Sequence, residues 1–145
     1  MTSYILDVNV LFSGVISQKD IYKALFEENT CYTPDFALIE LSKYRKVILE
    51  KTKMRREGLR EFTLFAFSKI SVVPDYIISD QSFAKAEALV KDIDLKDVAY
   101  VALAEELDII LLTRDKLLHD GLKAKGFDKI KLFDEWVREL LNKPK

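Results

Sequence analysis

Short continuous apolar runs alternate with amphipathic stretches along this chain, and that alternation predicts its elements. Tyr4-Ile5-Leu6 reads as a buried strand, with Gly14 in a loop before an amphipathic helix near Lys19 to Glu28. Cys31-Tyr32-Thr33 reads as a second, short strand. Pro34 suits the first turn of a helix running to about Lys51. Met54 to Lys69 has a helical pattern rich in Phe, although Gly58 is an awkward interior residue. Ile70 to Val73 is a strand stopped by Pro74. Ser79 or Asp80 caps a helix to about Lys91, and Asp94 caps the next. Leu107 to Thr113 is the clearest strand, followed by a helix from Lys116 to Lys125 that ends at Gly126. Ile130 to Phe133 makes a last strand before a helix through Trp136 and Leu141. Strands built from unbroken apolar runs and separated by helices imply an α/β fold. Its parallel sheet of four to five strands should be covered on both faces.

Four acids interrupt this pattern: Asp7, Glu40, Asp97 and Asp115. Each lies inside or at the end of an apolar run, where an unpartnered carboxylate is costly. Asp7 and Asp115 directly follow strands, the edge of a parallel sheet that binds ligands. Glu40 shares a helical face with Phe36, Ala37, Tyr44 and Val47, and Asp97 shares one with Tyr100, Val101 and Ala104. A helix from Leu95 to Glu106 rises roughly 18 Å. A strand from Asp108 to Thr113 returns roughly 20 Å, so Asp97 and Asp115 should meet at one edge. Plain structural readings exist for single residues: Asp7 as a turn cap, Asp115 as a helix cap, Asp94 and Asp97 as first-turn acids. Glu40 lies too deep in its helix for capping. Together the four acids point to a divalent cation.

Composition narrows the chemistry. The 145 residues are 49% hydrophobic and 32% charged, which fits a single globular domain over 1–145. One Cys and one His exclude disulfides and thiolate or His-rich zinc sites. Oxygen ligands alone select Mg²⁺ or Mn²⁺. The formal net charge is -1, yet the stretch Lys43 to Glu61 carries eight bases against three acids. Within it Lys43, Arg45, Lys46, Arg55 and Arg56 are candidates to steer a nucleic-acid backbone, and a solvated helix face explains them equally well. Arg114, beside Asp115, is closer to the acids and can meet a phosphate. With no leader and no apolar stretch of membrane-spanning length, a soluble cytoplasmic protein is expected.

The ordered motifs resemble the PIN-domain ribonucleases, the family that includes VapC-type toxins. The apolar strand, Asp and Asn opening matches ILDVNVLFS at Asp7 and Asn9. A helical Glu matches Glu40 in ALIELSKY, an Asp leading an Ala-rich helix matches Asp97 in DVAYVALAEEL, and a strand ending in Thr-x-Asp matches Thr113 and Asp115 in IILLTRDKLL. Asp94, one turn before Asp97, competes as the third ligand, and the Ala-rich register favours Asp97.

The resemblance implies a three-layer α/β/α sandwich, a metal-dependent endoribonuclease acting on RNA, a toxin–antitoxin partnership or a related RNA-processing role, and a homodimer. Asp7, Asp97 and Asp115 would hold the metal, with Glu40 binding it through water or orienting the nucleophile. Asn9 and Thr113 would hold the carboxylates, although Thr113 also reads as a plain strand residue. A haloacid-dehalogenase-like phosphatase is disfavoured because Asn9 stands where its second Asp is needed. A response-regulator receiver is disfavoured because Asp7 alone follows the first strand. The alternative from another class is a non-catalytic PIN-like module that binds RNA or protein.

Overall fold

The computed structural model describes residues 1–52 and 56–143. Arg55, one of the basic candidates, and the expected helix start at Met54 lie outside the described residues. The strands are β1 Ser3–Leu6, β2 Thr30–Pro34, β3 Ile70–Val73, β4 Ile110–Thr113 and β5 Ile130–Leu132. They form one parallel sheet in the order β3-β2-β1-β4-β5. The chain runs outward from β1 through β2 to β3, then crosses back to β4 on the other side of β1. Strand order therefore reverses between β1 and β4, where Ile5 pairs with Leu111 and Leu6 with Leu112.

The helices are α1 Val8–Ser17, α2 Asp20–Glu28, α3 Phe36–Lys43, α4 Arg45–Thr52, α5 Arg56–Lys69, α6 Asp80–Val90, α7 Val98–Leu107, α8 Lys116–Ala124 and α9 Phe133–Leu141. Short 3₁₀ turns at Asp75–Ile77 and Leu95–Asp97 precede α6 and α7. Right-handed crossovers fix the layers. Helices α1, α2 and α5 cover one face, while α7, with α6 and α8 beside it, covers the other. Ile5, Leu6, Leu111 and Leu112 are wholly buried from both sides, which is why their runs show no polar alternation.

Four local expectations change. Gly14 is not in a loop but inside α1, buried against α2 and α5. A Cβ there would lie 3.0 Å from Tyr22 Cδ1 and 3.4 Å from Phe62 Cζ, so the glycine is needed for close helix packing. Gly14→Ala gains about 1 kcal/mol of helix propensity, while crowding two buried rings costs roughly 1–3 kcal/mol. Urea melts should show net destabilisation of about 1 kcal/mol.

Pro34 closes β2, opposite Val73, instead of opening a helix. The single helix expected to Lys51 breaks at Tyr44, whose ring leans on Phe12 at 5.2 Å. Val47 consequently falls on an exposed surface, and only the first half of the apolar stripe around Glu40 meets the core. The clearest predicted strand is shorter than read. Leu107 ends α7, and Asp108 turns the chain in a left-handed conformation (φ 54°) before β4 begins.

Candidate active site

The carboxyl ends of β1 and β4 lie side by side at the sheet's reversal point, where ligands of open parallel sheets bind. Asp7 follows β1, and its N–H extends the ladder to Leu112 O at 3.1 Å. It stands at the N-cap of α1 without using its side chain as a cap. Instead its Oδ2 accepts the Thr113 hydroxyl at 2.7 Å and Asn9 Nδ2 at 3.3 Å. Thr113 Oγ1 accepts from the Asp115 N–H at 3.1 Å and from Asn9 Nδ2 at 3.4 Å, which fills the hydroxyl's capacity. Asn9 Oδ1 accepts the Arg114 N–H at 3.0 Å, and these partners set the orientation of its amide. Residues 104 and more positions apart are thus tied into one polar network.

Burial dominates the electrostatics of Asp7. The residue is 2% exposed, and desolvation, assisted by the charge of Glu40, pushes its carboxyl up to about 6 against the pull of the Thr113 hydrogen bond. Asp97 is pushed further, to about 8, first by desolvation and then by the charges of Asp7, Asp94, Asp115 and Glu40. It occupies the N-cap of α7 without capping it. Its Oδ2 is buried and has no hydrogen-bond partner among the described residues. A buried acceptor left empty is unusual and points to a missing donor or cation.

Glu40 reaches the same region from α3. Its Oε1 accepts the Tyr100 hydroxyl at 2.5 Å, and Tyr100, fully buried on α7, has its own ionisation pushed up by desolvation and by that bond. Asp115 caps α8 through Oδ1, which accepts from Leu118 N at 3.1 Å, so the capping role is real and occupies one oxygen. Asp94 is exposed and accepts from Lys96 N at 3.0 Å as the cap of the 3₁₀ turn. The two competitors for the third position therefore differ in kind. Asp94 is exposed and satisfied, whereas Asp97 is half-buried and has one carboxylate oxygen shut away from water without a partner.

The acids are near enough to repel one another. Among the described residues, however, no three Asp, Glu, His or Cys side chains converge into a ready coordination shell. Carboxylates with no cation between them repel, and Mg²⁺ itself takes only one or two carboxylates while keeping several waters. The all-oxygen donor set and the orphaned Asp97 oxygen fit such an ion.

Other candidates sit elsewhere or differently. Lys43, Arg45, Lys46 and Arg56 are exposed on α3 to α5. Arg45 and Arg60 border an apolar groove of about 550 Å³ walled by α1, α3, α4 and α5. His119 joins Asp120 at 2.8 Å and lies 3.7 Å from Glu135, a link between α8 and α9. Cys31 is buried, which pushes its thiol up to about 12. Tyr100 was readable as a member of the Asp97 face but not as the partner of Glu40. The available signal was its hydroxyl, because a buried tyrosine needs a hydrogen-bond partner.

Comparison with known proteins agrees with this fold. A family model described as a PIN domain matches residues 5–134. DNA-bound VapBC from Salmonella typhimurium superposes with a TM-score of 0.61 at 16% identity, covering 91% of this chain and 97% of that one. VapBC2 from Rickettsia felis, bound to a DNA fragment from their promoter, gives 0.59 at 16% identity over 90% and 97%. A domain of a functionally unknown protein from Methanocaldococcus jannaschii gives 0.54 at 21% identity over 92% and 91%. At these identities the likeness is one of fold. No curated protein matches the chain. With the match spanning nearly its whole length, the chain belongs to the PIN domain family.

Proposed function

We propose that this chain is a single-domain endoribonuclease that hydrolyses RNA phosphodiester bonds with Mg²⁺ or Mn²⁺. Its role would be that of the toxin in a VapBC-type pair or of a related RNA-processing nuclease. The observation that carries this reading is the half-buried Asp97, whose Oδ2 is buried without a partner and which feels the charges of Asp7, Asp115 and Glu40. Folding tolerates such a group where function requires it. Divalent metals are general to the family. In this chain Asp7, Asp97 and Asp115 would hold the ion, with Glu40 at its margin.

A bound divalent ion supplies charge neutralisation and a lowered water pKa. The chain's own residues do the rest. Thr113 and Asn9 hold Asp7 in one orientation and tie it to the backbone of residues 114 and 115. Tyr100 holds Glu40 by one oxygen and leaves the other for a water or a hydroxyl proton. Tyr100→Phe should therefore slow cleavage roughly 10–100-fold, the usual cost of removing a group that orients a ligand. Thermal melts would check that the fold persists.

Protein partners fit the outer surface. The apolar groove bordered by Arg45 and Arg60, with Leu38 and Leu64 exposed at its edges, supports a helical partner such as an antitoxin segment or a second copy in a homodimer. No described helix is long and apolar enough to cross a membrane, which is compatible with a cytoplasmic location. That no three acids among the described residues form a ready shell favours one competitor, a PIN module that binds RNA or protein without turnover. Incubating labelled single-stranded RNA with Mg²⁺ or Mn²⁺ separates the two. The nuclease cuts, and loses cutting with EDTA and in Asp7→Asn, whereas a binding module retains intact RNA.

A further inference from the structure

We infer that Arg114 is the cation that grips the substrate's phosphate backbone beside the acids, and that Tyr22 is the residue that positions it. This inference rests on the reading of the chain as an RNA-directed protein and adds a named contact to it.

Arg114 lies between Thr113 and Asp115, at the mouth of the carboxylate cluster, and its side chain is exposed. Its backbone is pinned, because its N–H is bonded to Asn9 Oδ1 at 3.0 Å. Its guanidinium is held as well. Nη1 donates to the Tyr22 hydroxyl at 3.3 Å, and Cζ stands 5.9 Å from the centre of the Phe133 ring. That support is rigid. Tyr22 and Phe133 are buried and stack at 5.1 Å with only 8° between their planes, and Trp136 stacks on Phe133 from behind at 5.7 Å.

The partners that Arg114 lacks are as informative. Asp7 and Asp115 are its neighbours in the network, yet no carboxylate lies within ion-pair distance of its guanidinium among the described residues. An arginine beside several acids ordinarily pairs with one. Here neutral groups, a phenol and a ring face, hold it without neutralising it. Only one of its five N–H donors is taken by Tyr22, so a parallel pair remains for a bidentate, charge-assisted contact to a phosphate.

RNA approaching four carboxylates meets repulsion at every phosphate that the metal does not neutralise. A fixed, uncompensated guanidinium at the edge of that field answers the need at the phosphate next to the one being cut. The bases at Lys43, Arg45, Lys46 and Arg56 lie on other helices, and none is among the described hydrogen-bond partners of Asp7, Asn9 and Thr113.

The test compares Arg114→Gln, Arg114→Lys and Tyr22→Phe for cleavage and for binding. Binding of a short labelled single-stranded RNA is measured in an Asp7→Asn background across a salt series. Tyr22→Phe keeps the stacked ring and removes only the hydroxyl, and melting curves verify folding. Arg114→Gln should raise KM about tenfold while leaving kcat near that of the parent, because a uniform binding contact is lost. It should also flatten the slope of log K against log salt by about 0.7, the loss of one phosphate contact on a single strand. Tyr22→Phe should move both readouts in the same direction by less, and adding it to Arg114→Gln should change nothing further. Arg114→Lys should restore the salt slope in part.

Cleavage with an unchanged salt slope and KM in Arg114→Gln would overturn the inference and leave the nuclease standing. Arg114-dependent binding by a protein that never cuts would uphold the inference and overturn the nuclease. Absence of any RNA binding by the Asp7→Asn protein or its variants would overturn the phosphate role of Arg114 outright.

Discussion

Asp97→Asn protein should cut RNA about 100-fold more slowly than wild type, or worse, since losing a proposed metal ligand costs at least as much as losing an outer group that orients one. The same substitution should raise the melting temperature of the metal-free protein at pH 8.5. The two effects have one cause. At that pH the Asp97 carboxyl, pushed up to about 8 by burial and by four neighbouring acids, is forced to carry a charge that has no partner. Asparagine removes the charge and keeps the shape, so the fold should relax while the proposed ion would lose its hold. At pH 5 Asp97 is already protonated, and the mutant and wild type should melt together. Parallel melts at the two pH values, with a cleavage assay on the same samples, check both halves. Loss of activity accompanied by loss of stability at both pH values would instead describe a residue that merely supports the fold.

The second large effect is the pH dependence of the wild type itself. Asp7 and Asp97 both hold their protons more tightly in the folded chain than their ordinary value of 3.8, at about 6 and about 8. A folded-state pKa raised in this way stabilises fully below the unfolded value. That stabilisation is lost as pH climbs through 6 and then through 8. Without metal the protein should therefore melt lower at pH 8.5 than at pH 5. After discounting Asp97 for partial solvation, the loss is on the order of 2 kcal/mol. For a chain of this size that corresponds to a fall of about 4–8 °C. Mg²⁺ should recover much of the loss at pH 8.5 and little at pH 5, because protons and metal compete for the same oxygens. Calorimetric scans at both pH values, with Mg²⁺ and with EDTA, read this directly.

The sheet and the acids were the legible parts of this sequence. Ile5-Leu6 and Leu111-Leu112 have no polar alternation because both faces of the sheet are covered, and that pattern carries the fold class. The acids stood out for the complementary reason, as charges in apolar surroundings. What escaped depended on contacts between distant segments. Gly14 looks like a loop residue until the rings of Tyr22 and Phe62 are seen beside it. The break at Tyr44 has no proline or glycine to announce it, and what accompanies it is a ring contact with Phe12 on another helix. Tyr100 and Glu40 are 60 positions apart, and Tyr22 and Arg114 are 92 apart. Neither pairing leaves a local pattern. Asp94 and Asp97 differ in burial and in hydrogen bonding, neither of which spacing on a short segment determines.

Titration of Mn²⁺ into the protein at pH 7, by calorimetry in two buffers of different ionisation enthalpy, tests most directly whether these carboxylates form a metal site. Asp97 is largely protonated at that pH, so the wild type should bind saturably with release of about one proton per ion. Asp97→Asn should bind far more weakly and release no such proton. Binding of equal strength by the mutant, or binding without proton release in the wild type, would contradict the proposed metal site.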